Sequence, residues 1–264
     1  MRVRAVVTYD GTDYSGFQRQ TNAWTVQAAL ETALAQVTQE TITVLAAGRT
    51  DAGVHAAGQV IAFDTSWLHR ETSSSPRPEG SVETRSAERR HGLDDLQRAL
   101  NAVLPADIAV LEVEGAAPDF HPRYDARSRR YRYTLYNAPV RWPLARRYSL
   151  HVAAPLDVAA MQRAAQSLVG EHDFATFGRP PQGEVTVRRV LTAEWGRDLP
   201  RLTFDIEANA FLCHMVRSIV GTLLQVGRGG MRVEEFVAVL AACDRSRAGP
   251  TAPPRGLCLM EVKY

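Results

Sequence analysis

The stretch that decides the fold is Ala47-Gly48-Arg49-Thr50-Asp51-Ala52-Gly53-Val54-His55-Ala56, AGRTDAGVHA. An apolar run from Ile42 to Ala46 precedes it and another, Gln59 to Phe63, follows, so it reads as a loop wedged between two strands. Within it one carboxylate, Asp51, stands near a cation, Arg49, with Gly48 and Gly53 on either side. Glycines there signal backbone conformations or close approaches that a side chain would block. Loops at strand ends are a usual place to hold a reactive group. An aspartate that merely accepts backbone hydrogen bonds in a turn is the plainer alternative.

Working outward, Arg2–Tyr9 alternates as a strand and Asp10-Gly11 marks a turn. A helix is expected to begin at an N-cap, Thr25, with Val26, Ala29, Leu30, Ala33, Leu34 and Val37 forming its apolar stripe. A strand at Ile42–Ala46, the quoted loop and a strand at Gln59–Asp64 follow. Residues 66–92, rich in Ser, Pro, Arg and Glu and without periodicity, read as a flexible insertion. A helix at Asp94–Leu104 and a strand at Ile108–Val113 complete this half.

The remainder repeats the pattern. A strand at Arg129–Asn137 leads to a helix at Asp157–Leu168. Strands at Val185–Trp195 and Leu202–Ala208 flank a turn at Gly196–Pro200. Helices at Phe211–Val226 and Val233–Ala241 precede a last strand, Leu257–Tyr264. Each half therefore reads strand–helix–strand–strand–helix–strand, an α+β unit used twice without a matching sequence repeat. The halves are expected at 1–115 and 116–264, with the boundary near 115–128.

The 264 residues, 45% hydrophobic and 23% charged, suffice for a sizeable core. No window is apolar enough for a membrane span, and the N-terminus lacks a signal peptide's apolar centre; a cytoplasmic protein is expected. Cys213, Cys243 and Cys258 are too far apart for a C-x-x-C pair and read as small buried hydrophobes. His55, His121, His172 and His214 show no metal-ligand spacing and read as structural or ligand-contacting. Net charge is only +2, but residues 123–148 carry eight arginines, one acid and six aromatics. Arginine forks onto phosphate and aromatic rings stack unstacked bases, so the run reads either as a nucleic-acid track or as a solvated basic face. Lys263 is the single lysine, so part of this arginine is compositional.

On a helix over Phe211–Val226 the apolar arc is Leu212, Met215, Val216, Ile219, Val220 and Leu223, with Arg217 at its edge and Gly221 a turn further on. A charge at the rim of a buried face either snorkels to solvent or needs a partner.

The chain resembles the tRNA pseudouridine synthase A family through YDGTDYSGFQRQ, TVQAALETAL, GRTDAGVHAAGQV, LNAVLPADIAV, FHPRYDARSRRYRY, LVGEHDFATF, NAFLCHMVRSIVGTLLQVG and TAPPRGLCLMEVKY. These segments run in family order from residue 9 to 264, and GRTDAGVHA is highly specific. The 66–92 insertion is longer than the family pattern leads one to expect. The resemblance, carried by those segments, implies an α+β pseudouridine synthase fold: two related halves sharing a continuous mixed/antiparallel sheet, with a catalytic cleft between them. It also implies a homodimer that isomerises uridine to pseudouridine at tRNA positions 38, 39 and 40, in the anticodon stem-loop, without cofactor or metal. By the same resemblance Asp51 is the catalytic aspartate and Arg217 the basic residue paired with it. Tyr131 is the tyrosine packing on the target base, and Arg49 the arginine that displaces the target nucleotide.

The chemistry suits those groups. An ionised carboxylate forms a covalent adduct and then leaves, and a nearby guanidinium favours the charged form against burial. Attack at sugar C1′, attack at uracil C6 and proton removal at C2′ are all compatible with it. Two other readings remain: a catalytically silent RNA-binding protein, and a hydrolase in which water ends the reaction. Hydrolysis usually recruits a second carboxylate, and none stands out near the motif.

Overall fold

The computed structural model describes residues 1–69, 92–181 and 183–264. Strand β1 (Arg2–Tyr9) buries Val3, Ala5, Val7 and Tyr9 on one face, the period-two pattern of a strand lying on a core. Helix α1 (Val26–Thr38) starts where the Thr25 hydroxyl accepts from the Ala28 N–H, and buries Val26, Ala29, Leu30, Ala33 and Leu34. Next come β2 (Leu45–Ala46), β3 (His55–Asp64), α2 (Leu93–Val103) and β4 (Ile108–Gly115). The second half holds β5 (Ser128–Asn137), β6 (Leu150–Val152), α3 (Val158–Gln166), β7 (Gly170–Asp173), β8 (Val187–Asp198) and β9 (Arg201–Ala208). It ends with α4 (Met215–Gly227), α5 (Val233–Ala241) and β10 (Leu257–Lys263).

Several boundaries differ from the sequence pattern for identifiable reasons. The strand expected over Ile42–Ala46 shrinks to Leu45–Ala46, because side chains of α1 take the polar groups of residue 44. Glu31 accepts from the Val44 N–H at 3.1 Å and Gln27 donates to its carbonyl at 3.2 Å. Strand β3 starts at His55 rather than Gln59, its small residues Ala56–Gly58 having hidden the alternation. Strand β8 runs through the expected turn to Asp198, with Gly196 opposite Thr203. Helix α4 begins at Met215, since Cys213 bridges Arg179 and His214 adopts a left-handed φ of 64°. Strands β6 and β7 are too short to show a period. The expected 66–92 insertion opens on a 3₁₀ turn, Trp67–His69, in which Trp67 and Leu68 are buried; residues 70–91 lie outside the described residues.

One mixed sheet runs β4-β1-β3-β10-β5-β9-β8-β7, with β2 on β3 and β6 on β5. The order β4-β1-β3-β2 in the first half matches β10-β5-β9-β8 in the second, strand for strand along the chain. The join is a short parallel pairing of β3 and β10, Cys258 opposite His55 and Leu259 opposite Ala56. Beyond it β10 and β5 pair antiparallel with Leu259 opposite Tyr131. Ala56, Leu259 and Tyr131 therefore stand in one row across the seam, and the loop carrying Asp51 leads into β3 just before that row. No described helix is long and apolar enough to cross a membrane.

Candidate active site

The loop between β2 and β3 is held from several sides. Thr50 is buried and its hydroxyl meets the Tyr9 hydroxyl at 2.8 Å, while its carbonyl accepts from the Phe17 N–H at 3.1 Å. Gln59, fully buried, clamps Gly48 by donating to its carbonyl at 2.8 Å and accepting from its N–H at 3.3 Å. Gly53 has φ +75°, which L side chains rarely adopt. Gly48 differs from the expectation: a Cβ there would meet only the Tyr131 hydroxyl, at an ordinary 3.7 Å.

The loop presents Asp51 to helix α4. Arg217 donates Nη1–H to Asp51 Oδ2 at 2.8 Å, and the two side chains are 15% and 27% exposed. Arg217 does not snorkel, because its Nε–H is also spent on the Ala252 carbonyl at 2.8 Å and the Ala252 N–H returns a bond to the Arg217 carbonyl at 3.0 Å. Gly221 allows this. A Cβ there would lie 1.7 Å from the Pro250 oxygen, so the glycine seats α4 against residues 249–252 rather than making room for Arg217 itself. Among the described residues Asp51 Oδ1 accepts no hydrogen bond. His214 Nε2 lies 3.7 Å from Oδ2. Sequence reasoning did not single His214 out for this place; its signal was the i, i+3 spacing to Arg217 at a helix start.

Tyr131 on β5 is 8% exposed, with its ring edge-on to Phe211 at 5.1 Å. Burial, followed by the charges of neighbouring Tyr9 and Asp51, pushes its phenol well above the ordinary tyrosine range. Arg49 is exposed, points its loop position into the same cleft, and makes no ion pair among the described residues. Asp51's cation is thus Arg217 from the other half, not its near neighbour Arg49.

These groups line one cleft of about 1030 Å³, at the upper end for sites that hold drug-sized ligands. Among the described residues its walls contain six arginines (Arg49, Arg123, Arg127, Arg129, Arg188 and Arg217) and a single carboxylate, Asp51. A concave wall of one sign concentrates an oppositely charged substrate.

The basic run 123–148 is not a single track. Arg130 pairs with Glu261 and Arg132 with Asp205, while Arg147 lies by Asp13. Arg129 is buried and donates to the carbonyls of Ala47, Arg123, Ala126 and Asn209. Burial lowers its pKa, and four carbonyls in place of an acid leave its positive charge uncancelled beside the cleft. Tyr133 is fully buried. Of the run, Arg123, Tyr124, Arg127, Arg129 and Tyr131 face the cleft.

The cysteine expectation also fails: Cys213 and Cys243 are exposed and Cys258 half-buried. Cys213 is stationed on the loop before α4 by its backbone bridge to Arg179, where the backbone, not the thiol, makes the packing contact. Among the histidines His55 is buried at the seam, and among the described residues no three His, Cys, Asp or Glu side chains converge as a metal site would require.

A carboxylate on a guanidinium, in an arginine-walled cleft between two topologically matched half-sheets, suits an anionic substrate. The profile of a family described as tRNA pseudouridine synthase matches residues 5–125 and 164–264. Proteins named tRNA pseudouridine synthase A are similar along nearly the whole chain. That of Moorella thermoacetica is 46% identical over 99% of both chains. That of Chloroflexus aurantiacus is 46% identical over 99% of this chain and 88% of its own. That of Geotalea uraniireducens is 41% identical over all of this chain and 99% of its own. The chain belongs to the tRNA pseudouridine synthase family, and its mixed sheet and helices make up the α+β pseudouridine synthase fold.

Proposed function

We propose that the protein is an isomerase that converts uridine to pseudouridine at positions 38, 39 and 40 of the tRNA anticodon stem-loop, with Asp51 as nucleophile on a flipped-out uridine. The observation that carries this reading is the 2.8 Å pair between Asp51 and Arg217, set in the arginine-walled cleft. In the reaction the N1–C1′ bond breaks, the uracil turns, and C5 bonds to C1′. The C5 proton leaves and N1 gains one, so atoms and electrons balance with no redox step. A carboxylate suits the role because it can attack and then depart. Arg217 supplies the compensating charge that lets Asp51 work away from bulk water.

Reaching the glycosidic bond requires the nucleotide to leave its stack, at a cost of a few kcal/mol. One aromatic contact returns about 1–3 kcal/mol, and in this reading Tyr131 provides it while Arg49 takes the vacated place in the stem. The raised phenol pKa of Tyr131 favours a packing surface over a proton acceptor, since a base works best with a pKa near the working pH. The chain divides near residue 115, so that 1–115 brings Asp51 and Arg49 while 116–264 brings Arg217 and Tyr131. The working particle is a cytoplasmic homodimer, tested by the mass of the purified protein in solution.

The deciding experiment incubates the purified protein with an unmodified tRNA transcript and maps pseudouridine by carbodiimide treatment and primer extension. Stops at positions 38 to 40 are expected. Free uracil and an abasic RNA would replace this reading by the hydrolytic one. Asp51 as the single acid of the cleft among the described residues stands against that outcome, because hydrolysis usually recruits a second carboxylate.

A further inference from the structure

Tyr124 occupies a place that the reaction above does not use. It lines the cleft that holds Asp51, yet is 71% exposed, whereas Tyr131 in the same cleft is 8% exposed. An exposed tyrosine on a floppy loop would mean little, but this one sits on a rigid turn. His121 Nδ1 accepts the backbone N–H groups of both Arg123 and Tyr124, at 3.1 and 3.3 Å. Asp125 accepts from the His121 N–H at 2.8 Å, and its own N–H returns to the His121 carbonyl at 3.1 Å. The Pro122 carbonyl accepts from the Tyr264 hydroxyl, and the Arg123 carbonyl from the buried Arg129. The turn is therefore bolted to β5 and to the C-terminal residue.

On this turn the Tyr124 ring lies against the His121 imidazole, with centroids 4.3 Å apart and planes tilted by 34°. The Arg123 guanidinium carbon is 5.9 Å from the same ring centroid. Arg127, another arginine of the cleft wall, follows on the next stretch of chain. A largely open planar ring, held by an imidazole and carrying one guanidinium at 5.9 Å, in a cleft walled by further arginines, is an arrangement that binds a nucleobase and its phosphate together. Because the ring is already held in place, little conformational freedom is lost on binding.

We infer that Tyr124 is a second stacking platform, which takes a nucleobase neighbouring the uridine delivered to Asp51 and so helps decide which uridine of the stem-loop enters. The inference rests on the proposed function only for the identity of the ligand as RNA. Two bases held at two depths of one cleft, one at the rim and one against Tyr131, would set the register of the strand.

The test is a double-mutant cycle between protein and RNA. Stem-loop RNAs with the anticodon-arm sequence carry a single abasic residue, moved one position at a time around the target uridine. Turnover is followed with wild type, Tyr124→Ala and Tyr124→Phe. Tyr124→Ala is expected to raise KM about 5- to 150-fold, the range of one base–aromatic stack. Tyr124→Phe, which keeps the ring, should stay within about twofold of wild type. One abasic position should abolish the penalty of Tyr124→Ala, while the others leave it in place. The salt dependence of binding should not change in Tyr124→Ala, but its slope should fall by about one in Arg127→Ala, which removes a phosphate contact. An unchanged KM, or a penalty that persists at every abasic position, would overturn the platform. Turnover by wild type on the intact stem-loop is read in the same experiment and tests the proposed function separately.

Discussion

Two aspartates sit near the seam, and their surroundings are opposite. Asp10, where the chain leaves β1, is saturated: Oδ1 accepts from the Thr12 N–H at 3.0 Å, Oδ2 accepts from the Tyr148 hydroxyl at 2.8 Å, and His55 and Arg147 lie at 3.1 and 3.6 Å. Burial alone would raise its pKa, but the hydrogen bonds from Thr12 and Tyr148 and the nearby His55 outweigh that and bring it to about 2. Asp51 has one hydrogen bond, from Arg217, and an oxygen that accepts nothing among the described residues. A carboxylate whose lone pairs are all engaged has nothing to offer a substrate, whereas one balanced by a single cation keeps a free oxygen for attack. Asp10 ties the first half to Tyr148 of the second; Asp51 faces the cleft.

That contrast is open to attack by mutation. The largest effect belongs to Asp51→Asn, which should lower turnover on the order of 10⁴-fold or more, as loss of a covalent nucleophile, the role proposed for Asp51, does. Its melting temperature should stay near wild type; Asp10→Asn should show the reverse pattern. Next, Arg217→Met should reduce kcat by about 10²–10³-fold, the cost of removing one preorganised charge, in a protein whose circular dichroism is unchanged. Full activity of that variant would dissolve the pairing. Asp10→Asn should cost about 1–3 kcal/mol of stability, since it removes the charge facing His55 and Arg147 and replaces one accepting oxygen by an amide that donates, while turnover per folded molecule is retained.

The pH dependence carries its own sign. Because the folded pKa of Asp10 is depressed to about 2 from 3.8, its contribution is fully present above pH 3.8 and is lost as pH falls toward 2. The stability gap between wild type and Asp10→Asn, measured by denaturant melts, should therefore close across that window. The smallest effect is expected for Tyr131→Phe, with kcat within about threefold of wild type if the ring only stacks. A loss of a hundredfold or more would make the hydroxyl a participant.

The same comparison explains what could be seen in the sequence. The N-capped stripe of α1, the alternation of β1 and the repeated α+β rhythm were legible because each is a local pattern. The short strands β6 and β7 were not, since a few residues carry no period and are defined by the neighbours they pair with. Arg217 looked ambiguous because its partner lies 166 residues away and its orientation depends on Gly221 pressing α4 onto Pro250. His214 was missed because its nearness to Asp51 arises from a left-handed turn before α4 that replaced the expected helical start. The arginines of 123–148 read as one basic face because their acids, Glu261 and Asp205, come from strands far along the chain. Local order was visible, and long-range charge pairing was not.

The central claim is that Asp51 performs the chemistry rather than the binding. The most direct measurement follows release of tritium to water from tRNA labelled at uridine C5, under single-turnover conditions, alongside tRNA affinity. For Asp51→Asn the account predicts no release above background, with a Kd for tRNA within a few-fold of wild type. Release by Asp51→Asn at a rate near wild type would contradict it.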